Sequence, residues 1–233
     1  MNSNQLLNGM IILSLFLVIS ICFLYPPPLK RVGKEALEYP AAAVLLIITA
    51  VLLRVVQKRG VSRLQKRTLT LGLLFGLLWT IEIGINNLVR PGLPLRDIID
   101  NIFWAVIALL IFITATREAI LTNRFRDGVR AGLWSGIASG AVACLTALVL
   151  IVFGMGFILQ DDLNIREWRQ VNPTGNLRGM AAYFALETLA GAIMHLYILG
   201  ILMGLILGTI GSVSAKMLNA LKTIFRRRYR TRI

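Results

Sequence analysis

Residues 131–157 read AGLWSGIASGAVACLTALVLIVFGMGF, twenty-seven positions without one charged side chain. About 20 helical residues cross a hydrocarbon layer about 30 Å thick, since each adds about 1.5 Å of rise. The stretch therefore reads as a membrane span with residues to spare, which implies tilt or extension past the lipid. Its small residues are ordered as well. Gly132, Gly136 and Gly140 recur at every fourth position, and Ser135, Ser139 and Cys144 widen the same face. In lipid no hydrophobic force draws helices together, so a ridge of this kind matters because it lets two backbones approach closely.

Outward from this stretch, five more apolar runs of spanning length appear, giving an all-α polytopic helix bundle of six spans at 6–25, 40–56, 69–89, 98–116, 131–157 and 180–214. The first is stopped by Pro26, Pro27 and Pro28, and Pro40 suits the first turn of the second. The first run has the length of a signal-peptide core but lacks a basic start and a small-residue cleavage site, so it is read as a retained span. The third and fourth form a hairpin closed by Arg90, Pro91 and Gly92. The sixth repeats the small-residue pattern with Gly200, Gly204 and Gly208, which predicts packing against the fifth or against a second protomer. Gly72 and Gly76 in the third span echo Gly132 and Gly136, too weakly to count as a repeat.

Composition supports the same class. Of 233 residues 57% are apolar and 15% charged, with mean hydropathy +0.74, far from the usual quarter of charged residues in soluble domains. Two isolated cysteines, Cys22 and Cys144, and a single histidine, His195, exclude a disulfide framework and multi-histidine metal chemistry. No cofactor is expected.

The net charge of +14 falls unevenly. With six spans and both termini on one side, seventeen of the 25 Lys and Arg residues lie on the side of the termini and eight on the other. The positive-inside rule then makes both termini cytoplasmic. The first outer loop, with Lys30, Arg31 and Lys34, is the awkward member of this count. In the tail, 215–233, apolar residues at helical spacing alternate with Lys216, Lys222, Arg226, Arg227, Arg228, Arg230 and Arg232. Such an amphipathic basic helix suits the anionic lipids of the inner leaflet of the cell membrane, in preference to nucleic acid.

Ionisable and amide side chains inside spans cost free energy and need a reason. Glu82 shares an arc of the third span with Gly72, Gly76, Trp79 and Asn86, and so points into the bundle. Asn87 follows. Asp97 reads as the N-cap of the fourth span, with Asp100 in its first turn and Asn101 beside it. If the hairpin pairs, Asp100 and Asn101 reach the depth of Asn86 and Glu82. In the sixth span Glu187, Gly191 and His195 form one stripe, His195 being either a relay or a core histidine bonded to a neighbouring carbonyl. Between the fifth and sixth spans, Asp161 and Asp162 suit the start of a short helix carrying Trp168, and Asn172, Pro173, Thr174 and Gly175 read as a turn.

Three functions compete at this level. The first is a small transporter or permease subunit with an outward-accessible acidic pocket built from Glu82, Asn86, Asn87, Asp100, Asn101, Glu187 and His195. Its excess negative charge suits a cation, a proton-coupled solute or an amine-bearing solute. The chain has no GxxxxGK[ST] loop, so an ATP-driven step would need another subunit. The second is a non-catalytic accessory, assembly or regulatory protein, joined through its glycine ridges to a partner membrane subunit or to its own copies. An intramembrane enzyme is third, with no GxSxG elbow to support it.

Overall fold

The computed structural model describes residues 3–26, 37–58, 62–173 and 176–230, with side chains in the last helix described as far as Lys222. Eight helices follow one another: α1 (Ser3–Leu24), α2 (Glu38–Lys58), α3 (Arg63–Gly84), α4 (Leu95–Thr122), α5 (Phe125–Leu159), α6 (Asp162–Val171), α7 (Leu177–Met194) and α8 (Met203–Arg230). Two π-helical segments extend this set, Ile85–Val89 at the end of α3 and His195–Leu202 joining α7 to α8. Counting those continuations, six helices are long and apolar enough to cross a membrane, the last running from Leu177 to Lys222. This is the architecture of a multi-pass membrane protein.

Every helix reaches past its sequence-predicted span. The chain does not leave the helix where it leaves the lipid, because good caps and helix-forming charged residues prolong it in water. Ser62 accepts a hydrogen bond from Gln65 N and starts α3 at Arg63, ahead of the apolar run. Likewise α8 continues without a break from the membrane-length stretch into the basic tail. The side chains of Arg226, Arg227, Arg228 and Arg230 lie outside the described set, as do Arg232, Lys30, Arg31 and Lys34, and Thr174 and Gly175 of the expected turn.

Helix α5, uncharged from Ala131 to Leu159, is the axis of the bundle. Helices α1, α3, α4, α7 and α8 all pack on it, while α2 packs chiefly on α1 and α7. The reason is its small-residue surface. A Cβ on Gly136 would stand 2.9 Å from Gly204 Cα and closer still to Gly200 O, and one on Gly132 would stand 2.6 Å from Gly204 O. One on Gly140 would meet Gly200 Cα at 2.9 Å. The ridges of the fifth and sixth spans therefore face each other inside one chain. On another side of α5, a Cβ on Gly72 would stand 2.7 Å from Ser135 Cα, and one on Gly76 would run into Val142.

Polar ties complete the packing. Asn8 and Gln57 exchange side-chain amide bonds at 2.7 and 3.2 Å, joining α1 to α2. Tyr197 donates to Leu45 O at 2.6 Å and its hydroxyl lies 2.5 Å from Thr49 Oγ1, tying α2 to the second π segment. On the side of the tail, Arg67 of α3 pairs with the buried Glu118 of α4.

Candidate functional site

The buried stripe of α3 runs Gln65, Thr68, Gly72, Phe75, Gly76, Trp79, Glu82 and Asn86, at the three- and four-residue steps of one helix face. Its last two members are polar at membrane depth. Both are 6% exposed. Here the helix widens: Arg90 N bonds Ile85 O, five residues back, and Arg90 itself turns left-handed at φ 55°. The wider turn carries Asn86 and Asn87, and insertions of this kind are frequent at functional sites.

Asn86 Nδ2 donates to Glu82 Oε1 at 2.7 Å and to Asp100 Oδ1 at 2.6 Å, so one amide bridges two carboxyls across the α3–α4 hairpin. Glu82 Oε2 and Asn86 Oδ1 are buried without a hydrogen-bond partner among the described residues. The arrangement at the start of α4 differs from the expected cap. Pro94 holds the N-cap position, no side chain caps the helix, and Asp97 falls in the first turn. Proline already fits a helix start, which moves the start three residues earlier and leaves Asp100 a turn further in, facing Asn86. Asn101 does not join the cluster. It is exposed and bonds back to Asp97 O at 2.8 Å.

Beside the cluster a cleft of about 300 Å³ opens among α3, α4, α5, α6 and α7. Its polar lining is Asn87, Arg96, Asn164, Glu167, Glu187, Thr188 and His195, set among apolar residues such as Ile83, Leu150 and Phe184. Glu187 lies ten residues, hence about 15 Å, along α7 from its start. A cleft wall gives that charge a polar setting at this depth. His195, at the floor, sets Nδ1 2.7 Å from Gly191 O and presents its ring edge-on to Trp79, centroids 5.0 Å apart. The neighbouring-carbonyl reading of His195 therefore describes its bond, and cleft lining is added to it. Trp79 also meets Trp104 edge-on at 5.6 Å.

Electrostatically the cleft is acidic. Its one arginine, Arg96, donates to Asp161 Oδ2 at 2.8 Å, and Asp161 also accepts from Leu163 N as the N-cap of α6. Glu167 accepts from Tyr183 OH at 2.8 Å, and Trp168 is buried and packs against the same tyrosine.

Of the residues named from sequence, Glu82, Asn86 and Asp100 form one cluster, while Asn87, Glu187 and His195 line the adjoining cleft. Sequence reasoning missed Arg96, Asn164, Glu167 and Thr188. The first three fall between the predicted spans, where polarity looked like ordinary solvation, whereas the structure puts Arg96 in α4 and Asn164 and Glu167 in α6. Thr188 carried a signal that was available, since Gly191 and His195 follow it at three and seven residues on one helix face. Among the described residues no group of three His, Cys, Asp or Glu side chains is placed to hold a metal ion. No family model, no curated protein and no solved structure matches this chain.

Proposed function

We propose that this chain is a small transporter or permease subunit of the cell membrane, binding a cationic or amine-bearing solute in the cleft between α3 and α7. The observation that carries the reading is the charge balance of that cleft. Glu167 and Glu187 line it together, and among the described residues the one guanidinium there is already engaged by Asp161. Acidic groups in a site walled by apolar side chains attract a cation more strongly than they would in water. Asn87, Asn164 and Thr188 add the hydrogen-bonding groups that orient a small polar solute. Orientation by the positive-inside rule opens this cleft to the outside and puts α8 and its basic extension at the inner leaflet. The glycine ridges are occupied within the chain, so a partner subunit would dock on another face.

The test is a thermal-shift titration of the purified protein in mild detergent with methylammonium, choline, putrescine and lysine. A ligand of the folded state alone stabilises by about 2.7 kcal/mol at one hundred times its Kd. A saturable rise in melting temperature with at least one amine, lost in Glu187→Gln while the unliganded variant melts as the parent does, supports the reading. No saturable rise, or a rise unchanged in Glu187→Gln, overturns it.

A further inference from the structure

The Glu82 cluster holds two buried oxygen atoms without a hydrogen-bond partner among the described residues. Asn86 has two amide hydrogens and one acceptor oxygen. Both hydrogens are spent, on Glu82 Oε1 and Asp100 Oδ1, which leaves Asn86 Oδ1. On the other side of the same pair, Glu82 Oε2 is also unused, and both residues are more than nine-tenths buried. Each bare acceptor is costly in a low-dielectric interior, and with both carboxyls ionised neither has a hydrogen to offer. A proton on Oε2 turns that oxygen into a donor, leaves Oε1 its bond from Asn86 Nδ2, and removes one of the two negative charges that Asn86 bridges.

We propose that Glu82 is a proton-binding residue, loaded at Oε2 and exchanging with water of the adjoining cleft, with Asn86 and Asp100 as its positioning residues. An O–H bond of the water side breaks as the Oε2–H bond forms, and no electron changes hands. Ile83 and Asn87, the chain neighbours of Glu82 and Asn86, line the cleft directly. The charged groups acting on Glu82 are Asp100 and Arg96, both from α4. Helix α5 brings no charged residue to this depth, and His195 of the second π segment stands one tryptophan away. A use for this proton in driving transport rests on the solute-binding reading, whereas proton binding itself does not.

Infrared difference spectra of the full chain in lipid nanodiscs, taken between acidic and alkaline buffer, test the proposal. A carboxyl C=O band appears on acidification, moves on labelling with 13C-glutamate, disappears in Glu82→Gln and persists in Glu187→Gln. Asp100→Asn keeps the band and moves its midpoint pH. If Glu82→Gln does not assemble, Glu82→Asp is read in its place, and the band then follows 13C-aspartate. Three results would overturn the proposal: no titrating glutamate band, a band indifferent to the Glu82 substitutions, or a band abolished by sodium at constant pH, which would make the bound ion a metal cation. Failure of the amine titrations leaves the band untouched, so the two readings fail separately.

Discussion

Arg96, at the start of α4, reaches the carboxylate of Asp161 at the start of α6, 2.8 Å away. The pair joins segments sixty-five positions apart and sits where the cleft is bounded by both helices. Asp161 is buried, so removing its partner leaves an unpaired charge. Arg96→Ala should therefore cost about 3 kcal/mol, the usual penalty for breaking one side of a buried pair. Asp161→Asn should cost less, about 1 kcal/mol, because an asparagine still caps α6 through Leu163 N. Melting temperatures of the two variants in one detergent check the order; equal losses would mean that the bond between the two side chains matters and not the charge left behind on Asp161.

The axis of the bundle predicts a second asymmetry. Gly136→Ala puts a methyl group against the Gly200 carbonyl and Gly204 Cα, and backbone cannot move aside as a side chain can. A loss of about 1–3 kcal/mol is expected. Gly156 lies in the same helix with open space at its Cβ position, and there alanine should stabilise by about 1 kcal/mol through helix propensity. Paired melting curves decide the matter. A comparable loss at both positions would show that glycine serves helix flexibility and not close packing.

These contrasts also mark what a sequence discloses. The six spans were legible because lipid imposes one length and one chemistry on each of them, and the fifth–sixth contact because glycine at four-residue spacing has few other uses. Burial of Glu82 followed from its place on the glycine face of α3. The Arg96–Asp161 pair and Glu167 were not legible, because each depends on how α6 folds back over the hairpin. Nor were the π segments: a five-residue hydrogen bond leaves no mark in hydropathy.

Orientation carries a prediction of its own. Thr122, the last residue of α4, and Gln170, in α6, are exposed and lie beyond opposite ends of α5. In a variant lacking Cys22 and Cys144, a cysteine at Thr122 should react with a membrane-impermeant maleimide only after the inner face is opened. A cysteine at Gln170 should react in intact cells. The reverse pattern would invert the topology and turn the cleft toward the cytoplasm.

Tyr197→Phe should loosen α2 selectively. That helix has few neighbours: its described packing is chiefly on α1 and α7, and Tyr197 supplies a bond to Leu45 O together with the hydroxyl contact to Thr49. Intramembrane hydrogen bonds contribute modestly, so the loss should be about 0.5–1 kcal/mol, too small to unfold the bundle. Local opening responds to the same free energy, and about 0.5–1 kcal/mol corresponds to roughly 2–5-fold faster amide exchange. The increase should be confined to Glu38–Lys58. The Asn8–Gln57 pair still holds α2 to α1, so α1 should show a smaller change or none. Faster exchange spread evenly through α3, α5 and α8 would mean instead that Tyr197 supports the central packing, because only a global opening exposes those helices together.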